Sequence, residues 1–206
     1  GRATPGILAL LMNSVYVVVG GLFVARLIGR EALAAVTVAV PVMEVMIALS
    51  MLISVGAGVL ISQSQGRKEE KKAREIFNIS FWVMLAFSVL LAASGIAFHR
   101  QLGSLFGGTP EIMPLVNEYM VYLFAFSPFL MFSFGLGTWA RNDGQPRLAL
   151  VAMAVGAVTN IVLDYVFIKP FGWGVGGAAL ATGLGPVVSC AVLLPHFLRR
   201  KGMLYF

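Results

Sequence analysis

Charge is what this chain has least of. Only 12% of its 206 residues are Asp, Glu, Lys or Arg and 59% are hydrophobic, whereas a soluble domain carries about 25% charged residues. That shortage excludes a soluble globular protein and leaves an integral membrane one. Cysteine is scarcer still. The single Cys190 excludes an internal disulfide, and its place inside an apolar run says nothing about redox compartment. Histidine occurs twice, as the isolated His99 and His196, so no metal site is in view. The formal net charge of +6 comes without a basic helix or zinc-ligand spacing, which argues against nucleic acid as a partner. The basic residues sit instead in short clusters between apolar runs, where they set membrane topology.

Those runs number six, at about 4–25, 33–61, 76–98, 113–139, 148–168 and 175–197. Each is near the roughly 20 residues that a helix needs to cross a bilayer. The pattern predicts an all-α integral membrane protein, a single bundle of six transmembrane helices over 1–206. The first run is too long for a signal-peptide core and no small-residue cleavage site follows it, so it reads as a retained helix. The chain begins without Met, as a fragment or a processed protein would. Between the second and third runs, residues 62–75 hold Arg67, Lys68, Lys71, Lys72 and Arg74. They form either a solvated charge run or a short helix lying on the membrane surface. Residues 141–147 read as a tight turn, and 169–174 as an interfacial turn with Trp173 at headgroup level. Eleven basic residues fall at the termini and in the second-to-third and fourth-to-fifth connections, against four in the alternate connections. The positive-inside rule then puts both termini in the cytoplasm, in a cell (inner or plasma) membrane.

Against this background the buried polar residues stand out. Asn160 and Asp164 are four apart in the fifth run, so a helix stacks them on one face, where they can hold one proton or ion together. An ionisable group at such depth costs about 2.5–3.5 kcal/mol on insertion scales and marks a functional site unless it only pairs with a neighbouring helix. Glu44 lies about 18 Å into the second run at 1.5 Å per residue, one turn after Pro41. It either faces a cavity or stays protonated and bonded to another helix. The Gly-rich start of the sixth run lacks the preceding strand and the Lys-Ser/Thr pair of a phosphate cradle. Close helix packing through small residues explains it better. If runs five and six form an antiparallel hairpin, Asp164, about 6–9 Å before the turn, and Thr182, about 10 Å after it, share one level.

The residues 33–36 leading to Pro41 and Val42, the stretch 60–67 with Ala73, the turn from Arg141 to Pro146, residues 160–168, and Gly174, Gly177, Ala178, Ala179 and Thr182 occur in this order along the chain. Together they resemble the multidrug and toxic compound extrusion (MATE) transporters. The resemblance implies the N-terminal six-helix lobe of such a transporter, which in the family works against a second, related lobe around a central cleft. It further implies that Asn160, Asp164 and Thr182, with Tyr119 beside them, form a cation- or proton-coupling network. One position departs from the pattern. Many relatives have an aspartate on the first helix where this chain has Gly20. Asn13 and Glu44 are the residues of neighbouring helices that stand to compensate. With one carboxylate instead of two, Na+ at Asp164 is less well served, because hard cations are held by several oxygens with charge to match. A proton needs only one.

The expected activity is therefore secondary efflux by alternating access, an antiport of organic cations or amphiphilic drugs against protons or Na+, with no other cofactor. Its partners are the cargo, the bilayer, and a second lobe or a second copy of the chain. Two other classes fit the same residues: a half-size homodimeric transporter or lipid flippase, and a non-transporting membrane scaffold. An enzyme does not fit, since the embedded polar groups lack a nucleophile and base at catalytic spacing.

Overall fold

The computed structural model describes residues 25–199 and 202–206, and all its regular structure there is helical. Helix α1 runs Arg30–Gly66 and α2 runs Glu70–Leu105, 37 and 36 residues. At 1.5 Å per residue each is about 55 Å long, far more than the roughly 30 Å hydrocarbon core. Their ends therefore stand in water, and this explains the charge run. Residues 62–75 are no separate surface helix; they are the polar, mostly exposed ends of α1 and α2, joined by Arg67, Lys68 and Glu69 alone. Both helices are also longer than the apolar runs that announced them, because hydropathy marks only the part of a helix that lies in lipid. In α2 the apolar run ends at Phe98, where the backbone leaves helical geometry (φ −111°, ψ 15°) before continuing to Leu105.

The run at 113–139 is two helices, α3 (Met113–Ala125) and α4 (Ser127–Asn142), bent by 49° across Phe126. The cause is Pro128. It has no N–H to give to the carbonyl four residues back, and its ring crowds that carbonyl. The freed Phe124 oxygen is taken instead by the buried Ser127 hydroxyl at 2.8 Å. Helix α4 then ends with Gly144 at φ +77°, while Gln145 N–H donates to Ala140 O at 2.8 Å and Gly144 N–H to Arg141 O at 3.2 Å. A left-handed glycine closing two carbonyls of the last turn in this way stops a helix. Pro146, whose missing N–H costs nothing at a helix start, opens α5 (Pro146–Ile168). A further turn leads to α6 (Gly174–Leu198).

Among the described residues, α1, α2, α5 and α6 are each long and apolar enough to cross a membrane, and the bent α3–α4 pair taken together is long and apolar enough for a fifth crossing. The protein is an integral membrane protein. Its outer surface agrees, with Leu52, Leu90 and Trp82 exposed to 72%, 68% and 61%. In water, so many exposed large apolar groups on neighbouring helices would drive aggregation; in lipid they are the solvated face. The first apolar run, 4–25, lies outside the described residues apart from Ala25.

One end of the bundle is closed by aromatic packing. Phe77 on α2 stacks on Phe197 of α6 at 5.0 Å between ring centroids and meets Trp139 of α4 edge-on at 5.4 Å. Residues 202–206 fold back over this cluster, burying Leu204 and setting Phe206 against Phe77 and Phe81. The polar anchor of this strap is Asp143, whose side chain is 1% exposed. One of its oxygens pairs with His196 Nε2 at 2.7 Å; the other accepts the backbone N–H groups of Met203 and Leu204 at 2.8 and 3.1 Å. Asn78 donates to Tyr205 O at 3.2 Å, and the Arg74 guanidinium lies 3.8 Å over the Tyr205 ring. His196 is thus not isolated, as its position in the sequence suggested.

Candidate functional site

Helix α5 carries Asn160 and Asp164 one turn apart, exposed to only 2% and 3%. Its neighbour α6 comes unusually close because glycines face each other. A Cβ on Gly185 would stand 2.9 Å from Gly156 O and 3.2 Å from Asn160 Cβ, and one on Gly156 would collide with Ser189. The same contact is locked by Ser189 Oγ–H, which donates across to Ala152 O at 2.9 Å. Phe167 meets Gly177 near the turn and Asn160 meets Gly185 deeper in. Between these two contacts the antiparallel register puts Asp164 within about two residues, or roughly 3 Å of helix rise, of the level of Thr182.

Tyr119 on α3 is 3% exposed, and its hydroxyl lies 3.3 Å from Thr182 Oγ1. Thr182 spends its single proton on Ala178 O at 2.9 Å. A hydroxyl has one donor and two acceptor sites, so Tyr119 is the donor to Thr182 and its own oxygen keeps acceptor capacity. Asp164 sits near the level of this pair. Among the described residues it has no hydrogen bond and no basic partner. Asn160 goes further: among the described residues neither its amide nitrogen nor its carbonyl oxygen has a partner. Buried polar groups are normally bonded, so two polar residues one turn apart without partners among the described residues depart from the usual pattern.

Glu44 does not join this cluster directly. It is exposed on α1 and lines a pocket of about 110 Å³ together with Asn160, while Asp164 is not part of that lining. The pocket lies between α1, α4, α5 and α6, with Ser133 and Ser189 in its wall. Neither serine figured in the sequence reading. A signal for Ser189 was present, since it follows Thr182 by seven residues and so shares its helix face. Asn13 and Gly20 lie outside the described residues. No group of three or more His, Cys, Asp or Glu suited to a metal ion occurs among the described residues.

A family model described as MatE matches residues 5–166. The chain is 26% identical over 197 residues to the multidrug export protein MepA of Staphylococcus aureus, covering 96% of this chain and 44% of that protein. It superposes on the outward-facing structure of a multidrug resistance MATE family transporter of the MOP superfamily with a TM-score of 0.90 and 29% identity, over 98% of this chain and 45% of that one. For the inward-facing structure the TM-score is 0.86, again at 29% identity, over 92% and 43%. The chain thus spans less than half the length of the relatives it matches, as one lobe does. With a helical membrane lobe of the same shape and a family match over most of its length, this chain belongs to the MatE family, a family of transporters and not of enzymes.

Proposed function

We propose that this chain is the N-terminal lobe of a secondary exporter in which Asp164 carries the coupling proton and an organic cation or amphiphile leaves in exchange. The observation that carries the reading is the state of Asp164: buried, without an ion-pair or hydrogen-bond partner among the described residues, and set beside the open amide of Asn160 and the Tyr119–Thr182 pair. A carboxylate kept only to pack helices is expected to be bonded to one. A carboxylate that must gain and lose a proton is better left free. Asn160, Thr182 and Tyr119 supply neutral oxygens and donors around it, able to stabilise either protonation state.

The lobe matches relatives in both outward- and inward-facing states with similar TM-scores. That supports transport by movement of whole lobes about a shared site, the usual mechanism of two-bundle carriers. The basic-residue asymmetry supports cytoplasmic termini, and cysteines placed at Lys71 and Arg199 are then labelled only from the cytoplasmic side. The function is tested in vesicles with an imposed pH gradient, using this lobe completed by a second one. Asp164→Asn keeps size and hydrogen bonding but cannot titrate, so proton-driven efflux is lost. Efflux at near wild-type rate would exclude the mechanism, and Na+-driven efflux in the unchanged protein would replace the proton by Na+.

A further inference from the structure

The strap of residues 202–206 leaves a cation open at the edge of the bundle. Arg74 lies one turn into α2, and its guanidinium stands 3.8 Å over the Tyr205 ring. It makes no ion pair among the described residues, not even with Glu70 one turn before it. Its Nε is covered and unbonded, while its two terminal nitrogens stay accessible and have no hydrogen-bond partner among the described residues. Lys71 is three residues earlier and so beside Arg74 on the helix surface; it is exposed and also makes no ion pair among the described residues. Of the nearby acids, Glu69 is held by Lys72 at 3.4 Å, and Glu75 points about 100° away from Arg74 around the helix. A guanidinium stacked on an aromatic ring is oriented before any ligand arrives, and its planar fork matches two oxygens of a phosphate.

Further along, the same side of α2 turns apolar. Trp82 is eight residues beyond Arg74, about 12 Å deeper, and is 61% exposed, with Ile79 beside it 64% exposed. That depth exceeds the thickness of one headgroup layer, so these side chains meet acyl chains. An occupant of this face needs an anion at one end and apolar chains at the other. We infer that the end of α2, with the strap folded against it, is a binding site for an anionic phospholipid: Arg74 and Lys71 take the headgroup phosphate, and Trp82 and Ile79 take the acyl chains. Tyr205 is a positioning residue, because it orients the guanidinium without touching the lipid. A zwitterionic lipid offers the same phosphate with a cation of its own beside it, and so gains less from two basic side chains. No residue of α2 lines the pocket at Asn160, and the inference stands apart from the export reading.

Quenching of Trp82 fluorescence by phospholipids with brominated acyl chains tests it, on the full chain reconstituted in phosphatidylcholine. Trp173→Phe leaves Trp82 as the one exposed tryptophan, since Trp139 is fully buried. Brominated phosphatidylglycerol is expected to be preferred over brominated phosphatidylcholine about fivefold, the order of one basic residue's attraction to an anionic surface. Arg74→Gln and Lys71→Gln each remove most of the preference. Because Lys71 is exposed and unpaired among the described residues, its variant leaves the packing of the strap unchanged. Arg74→Lys and Tyr205→Leu keep the charge and lose the oriented fork, so both lower the preference without abolishing it. Lys68→Gln, on the connection between α1 and α2, removes an equal charge from the same end and leaves the preference within about twofold. Equal quenching by the two lipids in the unsubstituted site, a preference that survives Arg74→Gln, equal falls in Lys68→Gln and Arg74→Gln, or no effect of Tyr205→Leu overturns the inference. So does displacement of the brominated lipid by free glycerol phosphate, which would make the site one for a soluble anion.

Discussion

Two buried aspartates in this lobe have opposite surroundings. Asp143, where α4 gives way to α5, accepts from His196 and from two backbone N–H groups, so both its oxygens are engaged. Asp164, four residues from the far end of α5, has no such partner among the described residues, and the amide one turn away is equally open. Exposure does not separate them, as both side chains are almost completely covered. The partners do. A structural carboxylate is recognised by having its lone pairs filled by its own fold; on the proposed reading, the carboxylate that takes up a mobile ion is the one whose lone pairs are left over.

The difference makes its largest prediction at Asp143. Asp143→Ala removes the acceptor for His196 and for two backbone donors of the strap, leaving all three buried and unsatisfied. Breaking a buried pair in this way costs about 3–5 kcal/mol. The expected result is a large drop in thermal unfolding temperature in detergent, with residues 202–206 becoming open to proteolysis. A change below about 1 kcal/mol would mean that the strap is incidental to the fold.

A middle-sized effect belongs to the close contact between α5 and α6. Gly156→Val puts methyl groups where Ser189 now sits and opposite Gly185 O. Overpacking of this kind costs about 1–3 kcal/mol. Because the contact also fixes the height of Asn160 and Asp164, Gly156→Val is expected to lower transport further than its stability loss explains. Activity per folded molecule, measured with the fraction folded, separates the two.

Smaller again is the bond at the break between α3 and α4. Ser127→Ala leaves the Phe124 carbonyl without its hydroxyl donor, a loss of about 1 kcal/mol. In a Pro128→Ala background residue 128 regains an N–H for that carbonyl, so Ser127→Ala then costs less. A double-mutant cycle by chemical denaturation measures the coupling; additive effects would remove Pro128 as the cause of the break.

These features differ in how far the sequence announces them. Segments in lipid are legible because each residue's transfer preference adds along the helix, and the crossings at α1, α2, α5 and α6 follow the apolar runs. The break at Phe126 was not read, although Pro128 announces it, because apolarity continues through 113–139 and hydropathy is blind to backbone geometry. The projecting ends of α1 and α2 were missed for the opposite reason: their residues are polar, and helix continued where hydropathy stopped. Asp143 and His196 lie 53 residues apart, and no local pattern links them. Only the folded bundle brings them together, as it brings Tyr119 to Thr182. Polar residues inside apolar runs point to a candidate site, but they do not say whether its hydrogen bonds are closed or open.

That last distinction is sharpened by the smallest expected change in stability, at Asn160. Leu is close to Asn in shape, so Asn160→Leu removes an amide with little change in volume. In a fold that satisfied this amide, the substitution would strand its partners and destabilise the protein by about 1–3 kcal/mol. Here neither atom has a partner among the described residues, so no described group is stranded, and the desolvated amide is exchanged for an apolar side chain facing a mostly apolar wall. The expected outcome is a neutral effect or a gain of up to about 1 kcal/mol, together with loss of transport in the completed protein. Thermal unfolding and vesicle efflux, measured on the same preparation, give both halves of the answer. A destabilised Asn160→Leu would mean that Asn160 is held like Asp143, and the contrast between a closed and an open buried site in this lobe would fail.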